Sequence, residues 1–151
     1  MTGATKVKTS GEILQAIYKN VKMAGESIIT LMPKVKNTEL KGDLTVQLST
    51  YEAFASRAAK LLGKEGVKPE EENVLTRMSA KWGSKMNTMM DSTTSHLVKM
   101  VIEGATMGVN DMMEQIRDAK DAGISDEVLR LAQDVCAYEE KTIEQMKNYL
   151  R

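Results

Sequence analysis

Apolar residues recur at steps of three and four along almost the whole chain, and this period decides what the chain can fold into. Leu14, Ile17, Val21, Ala24, Ile28 and Leu31 follow that rhythm, which puts them on one face of a helix. Thr9 with Glu12 three residues later has the spacing of a capping box, and Pro33 and Asn37 close the segment. A second stripe runs through Leu44, Leu48, Tyr51, Ala55, Ala58 and Leu62, with Gly63 or Gly66 as its stop. Two helices of matched length joined by a short turn predict an antiparallel hairpin. No segment alternates polar with β-branched residues, so a half-buried strand is excluded.

Pro69 followed by Glu70, Glu71 and Glu72 predicts another helix start, because proline suits the first turn and carboxylates suit the positive end of the helix dipole. From there a stripe of Leu75, Met78, Trp82, Met86, Met89 or Met90, Thr93, Leu97, Met100, Gly104 and Met107 continues without an obvious stop until Gly123. A straight helix over residues 69–121 would be about 80 Å long at 1.5 Å per residue, so a break is expected at Gly83-Ser84 or in the polar run 91–95. Residues 64–90 are then a helical crossover. The last helix opens at Gly123, Ile124 and Ser125, with Ser125 as its cap, and runs through Val128, Leu131, Val135, Glu139, Ile143, Met146 and Leu150. The expected fold is a single all-α domain over 1–151, a four-helix bundle of two antiparallel hairpins joined by that crossover, with 1–9 flexible.

Composition narrows the function. A chain that is 42% hydrophobic and 28% charged is not intrinsically disordered. It lacks an 18-residue apolar stretch, and its first residues lack the apolar run of a secretory signal, so no membrane partner is expected. The lone Cys136 reads as a reduced thiol in a cytoplasmic protein. Twenty-one basic residues cancel twenty-one acidic ones, which removes the positive field that nucleic-acid binding leans on. The charge is polarised along the chain: residues 1–36 carry six Lys against two Glu (+4), and residues 101–151 carry six basic against eleven acidic side chains (−5). The first and last helices are therefore expected to be neighbours, or two copies to pair head to tail.

Placing each acid and histidine on its helical wheel predicts that Asp111 and Glu139 point inward. Glu52, His96 and Glu103 fall at stripe boundaries, and Glu26 points away from a first stripe that reads as wholly apolar. The two inward carboxylates need partners, expected from Thr93, Thr106, Tyr51 or buried water. Twelve methionines read chiefly as core filler beside one Phe and one Trp. Met86, Met89, Met90, His96, Met100 and Met107 offer a Cu(I) reading as the lesser one. Gly104 and Gly108, four apart, signal close approach of another backbone. Trp82 and Met78 lie where a second chain could cover them, which predicts a homodimer.

The stretch 95–109 (SHLVKMVIEGATMGV), followed by a last helix containing Tyr138-Glu139-Glu140-Lys141, resembles the ferritin-like superfamily, and within it small bacterial four-helix bundles. The di-iron members of that superfamily use a Glu on each of two helices and a Glu-x-x-His pair on each of the other two. Here Glu52 is followed three residues later by Ala55, Glu103 by Thr106, Glu139 by Thr142 and Glu140 by Ile143, so no Glu-x-x-His exists. The resemblance thus implies the scaffold without its metal centre: a non-catalytic cytoplasmic protein with no cofactor, acting through self-association or contacts with another protein. The alternative is a metal-binding or redox protein holding Fe or Mn with Glu52, His96, Glu103, Asp111 and Glu139.

Overall fold

The computed structural model describes residues 7–70 and 80–151. Five α-helices lie among them: α1 (Ser10–Leu31), α2 (Thr38–Lys64), α3 (Ala80–Thr88), α4 (Thr94–Asp121) and α5 (Asp126–Lys147). Short 3-10 turns follow α1 at Met32–Lys34 and α5 at Asn148–Leu150. α1 begins with the expected capping box: the Glu12 amide donates to Thr9 Oγ1 at 3.1 Å, and the Thr9 amide donates to Glu12 Oε1 at 3.0 Å. Asn37 caps α2 by accepting from the Leu40 amide at 2.9 Å.

α1 packs along α2 and α4 along α5, and the two hairpins close against each other chiefly through α1 and α4. Ile13, Leu14, Ile17, Leu40, Leu44 and Leu131 are fully buried between them, each contributing roughly 1.5–3 kcal/mol relative to exposure. α4 turns into α5 at Gly123, whose φ of 63° is left-handed. There the amide of Ile124 donates to the Ala119 carbonyl at 3.0 Å, a helix stop that glycine adopts without a Cβ clash.

The long stripe breaks in the polar run. Asp91 Oδ1 accepts from the Thr93 amide at 2.9 Å, and Thr93 Oγ1 accepts from the His96 amide at 3.2 Å. These side chains stand in for helical carbonyls and start α4 afresh. Gly83-Ser84, the other expected break, lies inside α3. Of the crossover, α3 is helical and 67–70 are not; Glu71, Glu72, Leu75 and Met78 fall outside the described residues.

Three further expectations are corrected. Trp82 is not left for a second chain: it is 2% exposed, and its ring lies over Gly104, where a Cβ would approach it at 3.2 Å. Ser125 occupies the cap position of α5 without a side-chain hydrogen bond to the helix. Lys8, expected in a flexible stretch, pairs with Asp118 at 2.8 Å. That pair joins the basic start of the chain to the acidic α4, whereas the charge polarity pointed to the last helix, against which α1 packs less than against α4. Thr9→Ala should cost about 1 kcal/mol of stability, read in thermal unfolding as a Tm lower by about 2–4 °C.

Candidate functional site

A helical period also places Asn20 and Gln47 on apolar stripes. Asn20 follows Ile17 by three and precedes Ala24 by four, and Gln47 stands in the same relation to Leu44 and Tyr51. The structure buries both, along with Glu139 and Thr142 of α5, to 5% exposure or less. The four side chains line one cavity of about 40 Å³, whose walls include Tyr51, Trp82, Met100 and Gly104.

Glu139 reaches this cavity because α4 carries no side chain opposite it. A Cβ on Gly108 would lie 2.6 Å from the Glu139 carboxyl carbon, well inside van der Waals contact. Asn20 binds the same turn of α4: its Nδ2 donates to the Gly108 carbonyl at 3.1 Å and to Asp111 Oδ2 at 3.2 Å. Asp111 Oδ1 accepts from Gln115 Nε2 at 3.3 Å, and Gln115 Oε1 accepts from Lys8 at 3.3 Å. A hydrogen-bonded chain thus leads from the surface to the centre.

Burial, with Asp111 adding a smaller repulsion, pushes the Glu139 carboxyl up to about 9. It is a neutral acid at pH 7. Burial likewise raises Tyr51, whose ring meets Tyr138 edge-on at 5.5 Å, so it remains a phenol with its hydroxyl beside Thr142. Asn20 Oδ1, Glu139 Oε1 and both amide atoms of Gln47 make no hydrogen bond within the protein.

The expected site residues divide. Glu139 points inward as the wheel predicted; Asp111 is only half-buried, and its charge reaches Glu139. Glu52 is exposed beside a groove between α1 and α2. His96 lies in the first turn of α4, its side chain 40% exposed and its Nδ1 4.0 Å from Asp91. Glu103 pairs with Lys85 of α3 at 2.9 Å. Among the expected partners only Tyr51 reaches the cavity, because Thr93 is spent capping α4 and Thr106 donates to the Ile102 carbonyl at 2.8 Å. Asn20 and Gln47, which the wheel reading passed over by treating the stripes as apolar, supply the polar lining instead. Glu26, read as pointing away, buries one carboxylate oxygen in the α1–α2 groove.

A di-iron centre does not fit these residues. The inward positions of α1 and α2 hold the amides Asn20 and Gln47, and among the described residues no three His, Cys, Asp or Glu side chains converge. The methionine series does not converge either: Met86 and Met100 are buried while Met90 is 96% exposed.

No family model matches the chain, and no curated protein matches its sequence. Solved structures do match in fold. One is a dodecameric thioferritin, the bacterioferritin-related protein from Bacteroides fragilis, with a TM-score of 0.73 and 13% identity over 96% of this chain and 86% of that one. Another is YcfI from Rhodopseudomonas palustris, proposed to be a structural protein, with a TM-score of 0.66 and 15% identity over 97% of this chain and 98% of that one. The fold is a ferritin-like bundle.

Two outcomes follow from the close α4–α5 approach. Unfolded, Glu139 ionises near 4.5; folded, it holds its proton to about 9. Between these values the folded chain binds one more proton than the unfolded, so stability falls as pH rises, by up to about 1.4 kcal/mol per unit from this group. Denaturant midpoints from pH 5 to 8 should therefore fall less steeply in Glu139→Gln than in the parent. Gly108→Ala should lose about 1–3 kcal/mol by overpacking, and most of that loss should vanish in a Glu139→Ala background, as a double-mutant cycle would measure.

Proposed function

We propose that the protein is a non-catalytic, cytoplasmic ferritin-like bundle that works by self-association, at least as a homodimer, and holds no iron or manganese. The observation that carries this reading is the bundle centre, where two amides and a neutral acid occupy inward positions that a di-iron site would fill with ionised carboxylates and histidines. A carboxyl group that keeps its proton at pH 7 is a poor ligand for a transition metal. The same scaffold serves unrelated roles, so the fold supplies no activity of its own.

Support for self-association comes from the outer face of α1 and α2. A groove of about 220 Å³ runs between them, lined by Val21, Gly25, Ile29 and Leu48 and edged by Lys22 and Glu52. Ile29 is 54% exposed and Val46, on α2, 64%. A groove that mixes apolar side chains with Lys22, Glu26 and Glu52 suits a second copy of itself, since a two-fold axis can set one copy's lysine against the other's glutamate. This face takes the place of Trp82 as the expected contact. The thioferritin neighbour is a dodecamer, which supports assembly as a use of this scaffold. Among the described residues no helix is long and apolar enough to cross a membrane.

One preparation tests both halves of the proposal. Protein purified without chelator from medium containing Fe, Mn, Zn and Cu should hold none of them stoichiometrically, and it should sediment at twice 16.7 kDa or more. A species of 16.7 kDa would overturn self-association. One metal per chain, lost in Asp111→Asn and Glu139→Gln, would replace this reading with the metal-binding one.

A further inference from the structure

Gln47 of α2 is 1% exposed, yet neither its amide nitrogen nor its amide oxygen makes a hydrogen bond within the protein. Buried amides are paired as a rule, so this donor and acceptor, side by side in the wall of the central cavity, are an exception. Asn20 Oδ1 and Glu139 Oε1, of residues lining the same cavity, have no protein partner either. The Asn20 nitrogen is already committed to α4. Most of the remaining wall is apolar and includes Ile28, Leu31, Trp82 and Met100. A mostly apolar cavity with a few fixed polar groups is the usual make-up of a small-molecule site.

We propose that this cavity binds a small, uncharged primary carboxamide, paired amide to amide with Gln47. The ligand carbonyl accepts from Gln47 Nε2 while one ligand N–H donates to Gln47 Oε1, so both atoms are satisfied by one group. Its second N–H has acceptors in Asn20 and Glu139 on the same cavity, and its alkyl end meets Ile28, Leu31 and Met100. Charge selects against other ligands. Among the described residues that line the cavity, Glu139 is the one carboxyl group, it keeps its proton at pH 7, and no lysine or arginine joins it. An ion of either sign would therefore lie uncompensated against the apolar wall. A ketone brings no donor for Gln47 Oε1, and a hydrocarbon leaves both amide atoms unpaired. Size agrees: a water needs roughly 10–15 Å³ of such space, so the cavity's volume of about 40 Å³ takes a molecule of about three or four non-hydrogen atoms. The way in lies between α1 and α4, where Met23, Ala24, Ser27 and Val101 are only half-buried.

Acetamide, acetone and acetate are alike in size and differ in hydrogen-bonding groups and charge, so together they test the site. At the best efficiency known for small ligands acetamide would bind with a Kd of about 40 µM, which sets the tight end of the titration. At roughly ten times its Kd it should raise Tm by about 3–6 °C, while acetone and sodium acetate at the same concentration leave Tm unchanged. Titrated into isotope-labelled protein, acetamide should shift the Gln47 side-chain amide signals saturably, and its methyl group should show nuclear Overhauser contacts to Ile28, Leu31 or Met100. Gln47→Leu, which replaces both unpaired atoms with apolar ones of similar shape, should fold at least as stably and lose the Tm increment. No saturable response to acetamide, an equal response to acetone or acetate, or an increment that survives Gln47→Leu would overturn the proposal. The cavity and the outer groove share only Tyr51, and self-association is read from sedimentation, so either reading can fail without the other.

Discussion

The centre of this protein depends on how closely α4 approaches α5 at Gly108. With no side chain there, the Glu139 carboxyl group takes the space a Cβ would need, and the buried carbonyl of Gly108 is the acceptor that fixes Asn20 of α1. One missing methyl group thus positions an acid, an amide and three helices. A larger residue would force either the helices or the acid apart, and a packed interior accommodates neither without loss.

The resulting core is of an unusual kind for a small bundle. An apolar shell of Ile13, Leu14, Ile17, Leu44 and Leu131 surrounds a polar kernel that is only partly satisfied from within the protein. Such kernels are costly where partly satisfied, and they narrow the arrangements a bundle can adopt, because each polar side chain must find its own neighbour. The link from Lys8 through Gln115 and Asp111 to Asn20 also ties the interior to a surface charge through continuous hydrogen bonds.

Much of this architecture could be read from the chain, and the parts that could not have physical causes. The stripes located α1, α2 and α5, and Thr9 with Glu12 gave the start of α1, because those signals are local. The wheel found Asp111 and Glu139 for the same reason. It missed Asn20 and Gln47 because an amide on an apolar stripe is indistinguishable from a boundary residue until the facing helix is known. Gly104 and Gly108 announced a close approach, but what came close, an indole at one and a carboxyl at the other, depends on helices distant in sequence. Trp82 illustrates the point: its stripe is real, and whether its own chain or another covers it was decided by how α3 lies on α4. His96 and Glu103, seven residues apart on one flank, share a face of α4, yet each finds a separate surface partner.

Trp82 has a consequence of another sort. It is the only tryptophan in the chain, it is almost wholly enclosed, and its indole forms part of the wall of the central cavity. Every photon emitted by indole from this protein therefore originates at one address. The emission colour and lifetime of the whole molecule report the polarity of that single wall, giving the bundle a native optical gauge of its interior without any added label.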